Sequence, residues 1–155
     1  NRERFPELRE RIGIGTAKSG RSASDVTIAP YIFCYTADGP EDLAHGEQLL
    51  RAHLAYYVGG MGTFYFDSVS RAGFGAEAQA IKEAWATGNR EQAAGSVSDR
   101  MLQSIVVLGD AQQCRDQISG FRKSGADLPI VNFPHGTDLT VINRTMAALA
   151  PQAEI

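Results

Sequence analysis

Apolar and polar positions along this chain follow two periods. Residues 26–36 read Val-Thr-Ile-Ala-Pro-Tyr-Ile-Phe-Cys-Tyr-Thr, a nearly continuous β-branched and aromatic run. That is the pattern of a strand covered on both faces, as in a parallel sheet. Pro30 inside it predicts a sheet edge or a bulge, because proline cannot donate to the ladder. Residues 127–134, Asp-Leu-Pro-Ile-Val-Asn-Phe-Pro, predict a second, shorter strand.

Elsewhere the period is helical. Residues 3–19 carry a narrow stripe of Leu8, Ile12 and Ala17, weakened by Gly13 and Gly15 and closed at Gly20. Residues 41–58 carry two neighbouring stripes. Leu43, Glu47, Leu50, Leu54 and Tyr57 form one, and Leu49, His53 and Tyr56 the other. Gly59-Gly60-Met61-Gly62 is expected to break that helix. Residues 63–75 then read as an aromatic, hinge-like loop. Residues 76–86 predict a helix with Ile81, Ala84 and Trp85 inward. One helix is expected over 90–106, carrying Ala94, Val97, Met101 and Ile105. Asp110 and Gln113 have capping-box spacing and open a helix with Ala111, Cys114, Ile118 and Phe121 on one face. The last helix runs to about residue 150 with a stripe of Leu139, Ile142, Met146 and Leu149.

The predicted order is α, β, α, α, α, α, β, α, with no repeat and no linker. Helices flanking two buried-type strands define an α/β chain with a parallel sheet. Two such strands cannot cover their own faces and edges, and sheets usually hold about four to six. The pattern therefore points to a sheet completed by more chain or by a partner.

Composition narrows the function. With 15 basic and 18 acidic residues the formal net charge is −3. No basic surplus suits nucleic acid or an anionic membrane. No apolar run approaches the ~18 residues of a membrane span, and the charged N-terminal residues lack a signal-peptide core. Cys34 and Cys114 are far apart and form no Cys-x-x-Cys pair, so reduced thiols and a cytoplasmic location are expected.

Several segments together resemble one family. They are the 26–36 strand followed by Ala37-Asp38-Gly39-Pro40-Glu41-Asp42, and Tyr56-Tyr57 before a glycine-rich aromatic stretch. They continue with Gly73-Phe74-Gly75 leading to Ile81-x-x-Ala84-Trp85, then Val107-Leu108-Gly109-Asp110 with its Gln-Cys-Arg helix, then Gly125-Ala-Asp-Leu-Pro-Ile-Val131. This combination is similar to the later part of bacterial luciferase-like monooxygenases. The resemblance implies a (β/α)8 TIM-type barrel of ~250 residues or more. It also implies oxidoreductase chemistry on flavin mononucleotide (FMN) or a deazaflavin coenzyme. This chain would then be the C-terminal portion, from the sixth helix onward, with the last two parallel strands and flanking and inserted helices. Most cofactor-binding positions would lie outside it, so the chain alone could bind no cofactor. Its implied partners are the N-terminal barrel half or a second copy of itself, and a small-molecule substrate. The alternative is a truncated, non-catalytic relative that oligomerises or binds a ligand.

Barrel sites form at the C-terminal ends of strands, here the loops at 37–41 and 134–138. His135, just past the second strand with Asp138 nearby, is the candidate catalytic residue, because imidazole titrates near neutrality. It could equally be a surface or capping histidine. Gly136 and Thr137, before the last helix, are the candidate cofactor-binding positions, since helix N-termini attract anions; simple capping by Asp138 or Thr140 competes with that role. Tyr56, Tyr57 and Arg71 are candidate substrate-binding residues, with packing and surface pairing as the competing roles. Cys34 lacks an obvious base for nucleophilic work. His45 and His53 are eight residues apart, too far for a one-turn metal pair, and no metal site is expected.

Overall fold

The computed structural model describes residues 1–151. Three parallel strands form an open sheet in the order β2-β1-β3: β1 is Tyr31–Thr36, β2 is Val107–Gly109 and β3 is Ile130–Asn132. The central strand is paired in two halves. Tyr31, Ile32 and Phe33 lie opposite Ile130, Val131 and Asn132, while Cys34, Tyr35 and Thr36 lie opposite Val107, Leu108 and Gly109. The sheet is parallel as expected, but it has three strands where two are predicted. β2 is hidden in the sequence because it is three residues long and abuts helices on both sides.

β1 is shorter than residues 26–36. Pro30 cannot donate to the ladder, and its carbonyl instead accepts the Ile130 amide at 2.9 Å. Ahead of it, the Ile28 carbonyl accepts the amides of Asp127 and Leu128. These bonds start the β1–β3 pairing outside regular strand.

Among the described residues, eight α-helices surround the sheet. They are α1 (Phe5–Lys18), α2 (Pro40–Gly60), α3 (Phe64–Val69), α4 (Gly75–Ala86), α5 (Arg90–Gly95), α6 (Asp99–Ile105), α7 (Ala111–Lys123) and α8 (Leu139–Leu149). α2 includes Gly59 and Gly60 and ends there, with Met61 as its C-cap, inside the 59–62 segment expected to break it. The Trp85 side chain of α4 lies against them, and a Cβ on Gly59 would come within 2.7 Å of it. Those glycines are a close-packing seam. The expected 63–75 loop is mostly helical: α3 is followed by the turn Ser70–Phe74, where Gly73, at a non-helical φ of 89°, kinks the chain before α4. The expected 90–106 helix is two helices. Ser98 adopts extended backbone and caps α6 through the Met101 amide, and the break leaves Val97 fully buried between them.

Side chains of β1 alternate between two cores. Ile32 and Cys34 face Phe5, Val107, Cys114 and Phe121. Tyr35 faces Leu50, Leu54, Val58 and Ile81, with Phe33 packed alongside. The sheet is thus covered on both faces at Ile32–Thr36, while Tyr31 at the start of β1 stays exposed. The outer edge of β2 is closed by a side chain. The Gln117 amide donates to the Leu108 carbonyl at 2.8 Å and accepts the Leu108 amide at 3.2 Å, substituting for a neighbouring strand.

The inward stripe expected on α8 holds only in part, with Ile142 and Leu149 half-buried and Leu149 packed on the Phe5–Phe121 core. Val141 and Thr145 are the buried residues, and Thr145 accepts the Thr36 amide through its hydroxyl. Leu139 is 72% exposed and Met146 51%. The polar Thr145 wins the inward position because it satisfies a buried backbone donor at the end of β1.

Candidate functional site: a cavity beside the central strand

The C-terminal end of β1 is locked by polar contacts. The Tyr35 hydroxyl donates to Asp42 Oδ1 at 2.5 Å, and the Asp38 amide donates to Asp42 Oδ2 at 2.8 Å. Arg144 donates through Nε to the Thr36 carbonyl at 2.8 Å and pairs with Asp42. Burial alone would raise the Asp42 carboxyl. The Tyr35 hydroxyl, the Asp38 amide and the Arg144 guanidinium outweigh it and hold the group below its usual value. Burial, reinforced by the Asp42 charge, pushes the Tyr35 phenol up to about 12. Tyr35, Asp42 and Arg144 are committed to one another and to the backbone, which makes this end of β1 a structural joint, while the Thr36 hydroxyl is buried there without a partner among the described residues.

At the end of β3, Pro134 to Thr137 form a turn. Thr137 donates both its amide, at 3.2 Å, and its hydroxyl, at 2.7 Å, to the Pro134 carbonyl. Gly136 has φ 87°. Asp138 caps α8 by accepting the Thr140 amide at 2.7 Å. A capping carboxylate repels a second anion at the same helix end. The arrangement of Gly136 and Thr137 therefore does not fit a cofactor phosphate.

His135 is exposed, and its amide approaches Nδ1 of His53 at 3.5 Å. His53 was set aside in the sequence because only metal spacing was considered for it. Its ring packs edge-to-face with Phe33, centroids 4.3 Å apart, and against Tyr57 at 4.9 Å. Its Nε2 is buried without a partner among the described residues. Burial first, and His135 second, lower its basicity. The imidazole is therefore held neutral.

Phe33 and Tyr57 also face a cavity of about 550 Å³ between α1 and the sheet. Tyr65 of α3 continues this aromatic wall, with its ring 4.7 Å from Tyr57 and nearly perpendicular to it. Leu54, Val58, Val69, Ala72 and Ile105 make the aliphatic remainder. Polar groups enter from Ser68 and Asn132, from Glu7 and Arg11 on α1, and from Arg4 just before it. Glu7 accepts from Arg4 at 3.0 Å and pairs with Arg11 at 2.9 Å. The Arg4 hydrogen bond, its charge and the Arg11 charge hold the Glu7 carboxyl below its usual value.

Of the sequence candidates, only Tyr57 lines this cavity. Tyr56 is 47% exposed and packs on Trp85, with centroids 5.8 Å apart. Arg71 lies exposed in the Ser70–Phe74 turn, away from the cavity. His135 touches the cluster only through its backbone. Phe33, Asn132, Arg4 and Arg11 were not singled out in the sequence. The alternation of Tyr31, Phe33 and Tyr35 along β1 was the available signal.

A second cavity of about 470 Å³, beside β2, includes Arg51 and Gln117. Within it Arg51 pairs with Glu47 and Asp99 and donates to the Val97 carbonyl, and Arg2 adds a guanidinium with no ion pair among the described residues. Among the described residues no helix is long and apolar enough to cross a membrane.

A helix-flanked parallel sheet with an aromatic cavity beside its central strand defines an α/β architecture. Residues 1–128 match the luciferase-like monooxygenase family, and the chain belongs to it. It is 27% identical over 125 residues to a Mycobacterium tuberculosis protein whose name places it among the coenzyme F420-dependent oxidoreductases. That alignment covers 76% of this chain and 35% of the relative. In fold it is similar to the coenzyme F420-dependent tetrahydromethanopterin reductase of Methanopyrus kandleri, with TM-score 0.66 and 24% identity. The likeness covers 96% of this chain and 40% of that structure. The chain thus spans well under half the length of both.

Proposed function

We propose that this chain serves as the C-terminal portion of a luciferase-like oxidoreductase that uses a deazaflavin, and that it supplies the substrate-side wall of the active site. The family match supports the class, and the names of the two relatives favour the deazaflavin over FMN. The observation that carries the reading is the aromatic cavity against Phe33 and Tyr57, built on the central strand and on the helices that follow it. When bound, a deazaflavin supplies hydride transfer. This chain's own residues bind and orient the substrate, exclude water with Tyr57 and Tyr65, and hold neutral His53 behind the aromatic wall. The cofactor's anionic groups fall to protein outside this chain, since the α8 N-terminus is already capped by Asp138. The partner on this reading is the N-terminal barrel half, meeting the exposed Leu139 and Met146 face of α8 and the outer edge of β3.

The test is deazaflavin binding and turnover by the longest natural form of the polypeptide, with this chain alone as comparison. Coenzyme fluorescence quenching and substrate-dependent reoxidation by the long form, lost in the short one, are expected. Absence of both from the long form overturns the reading. The same exposed face of α8 favours a second reading, a non-catalytic module that pairs with its own copy. A stable, coenzyme-free homodimer of the natural polypeptide would establish that reading.

A further inference from the structure

We infer that the cavity between α1 and β1 selects a flat aromatic molecule carrying one negative charge, and that Arg4 and Arg11 read that charge. The inference rests on the reading of this cavity as the substrate pocket, and it names the class of substrate.

Three observations carry it. The first is shape and surface. Phe33, Tyr57 and Tyr65 form one wall, with successive rings tilted or perpendicular at 4.7 to 6.0 Å between centroids. An aromatic ring inserted there gains stacked or edge-to-face contact that an aliphatic chain of equal area does not. The cavity volume, about 550 Å³, is that of a small-molecule site.

The second is the polarity of the wall. Among the described residues, no hydrogen bond within the chain engages the hydroxyls of Tyr57, Tyr65 and Ser68 or the Asn132 side-chain nitrogen. The Asn132 carbonyl oxygen is already used by the Phe133 amide, which leaves its NH₂ group to donate. The free groups of the wall can all donate, so a ligand rich in acceptors satisfies them best.

The third is charge. Two guanidiniums line the cavity against one carboxylate, which leaves a single positive charge uncompensated there. Each guanidinium keeps N–H groups beyond those bound to Glu7. A carboxylate, sulfonate or phosphate on the ligand can therefore add to the Arg4–Glu7–Arg11 cluster without displacing Glu7. A dianion meets Glu7 as a repulsive neighbour, and a neutral ligand leaves the surplus charge unanswered.

The experiment is calorimetric titration of the natural polypeptide with three probes: naphthoate, its neutral isostere naphthamide, and the aliphatic anion decanoate. Naphthoate should bind with unit stoichiometry and about tenfold more tightly than either control, the scale of one charge-assisted contact at a partly exposed site. Added salt should shrink the preference over naphthamide and leave the preference over decanoate. Arg11→Gln changes an exposed side chain and leaves the fold intact; it should abolish at least half of the charge preference, and Arg4→Gln with Arg11→Gln should abolish all of it. Tyr57→Leu should remove the aromatic preference while keeping the charge preference. Equal affinities for naphthoate and naphthamide, or a preference unchanged in the double variant, overturn the inference. Deazaflavin turnover with a neutral aliphatic substrate would overturn it while sparing the oxidoreductase reading. Selective naphthoate binding without any deazaflavin binding would sustain the site and sink the oxidoreductase reading instead.

Discussion

Replacing Gly46 by alanine tests whether the α2–β1 joint is a fixed contact. Gly46 lies in the middle of α2, where alanine is ordinarily favoured by about 1 kcal/mol. Here a Cβ would stand 2.4, 2.6 and 2.8 Å from three ring atoms of Tyr35, whereas ordinary contact begins at 3.4 Å. The ring cannot easily retreat. Tyr35 is 1% exposed, its backbone is paired with Leu108 of β2, and its hydroxyl is bound to Asp42 at 2.5 Å. Overpacking of this kind costs about 1–3 kcal/mol, and loosening a hydrogen bond to a charged group costs about 1.5–3 kcal/mol. Set against the helical gain, the net loss is about 1.5–5 kcal/mol, or roughly 3–20 °C in Tm for a chain of this size. Urea unfolding followed by circular dichroism measures it. Tyr35→Leu combined with Gly46→Ala should cost clearly less than the sum of the two single changes, because they share one contact. A Gly46→Ala protein as stable as the parent, or more so, would show that the ring yields freely and that helix propensity decides the site.

His53 makes stability pH-dependent. Its folded value is lowered from 6.5 by burial and by His135, so its contribution is present above 6.5 and is lost as pH falls below it. His53→Gln should flatten the Tm–pH curve in that window, relative to the parent. Gln117→Leu should strip both hydrogen bonds from Leu108, destabilise by about 1–3 kcal/mol, and speed hydrogen exchange at the Leu108 amide before other β2 positions. Cys34 and Cys114 are both fully buried, and burial pushes the Cys34 thiol up to about 12. Neither thiol should react with a disulfide reagent in the native protein, and both should react in urea; rapid native labelling would contradict this core packing.

Much of the architecture is legible in one dimension. The β-branched and aromatic run around Ile32 and Cys34 announces a strand covered on both faces, and Asp110 with Gln113 announces the start of α7, where the capping box forms as predicted. These signals are local: burial period and side-chain-to-backbone bonding act over a few residues. The same local logic fails where a distant group decides. Gly59 and Gly60 read as part of a helix stop, and α2 does end at Gly60, but only the fold shows that Trp85 packs where their side chains would stand. β2 exists because the edge of Cys34–Thr36 is there to pair with it and Gln117 closes its far side.

The functional site follows the same division. By itself the sequence determined the α/β class, the parallel strands, the family pattern and the presence of Tyr57 among candidate contacts. Only the tertiary structure decided that Phe33, Tyr65 and Asn132 join it around a cavity, that Arg71 stays outside, and that Asp138 occupies the α8 N-terminus. A cavity is a property of surfaces brought together from α1, β1, α2, α3 and β3, and no periodicity within one segment encodes the side chains of another.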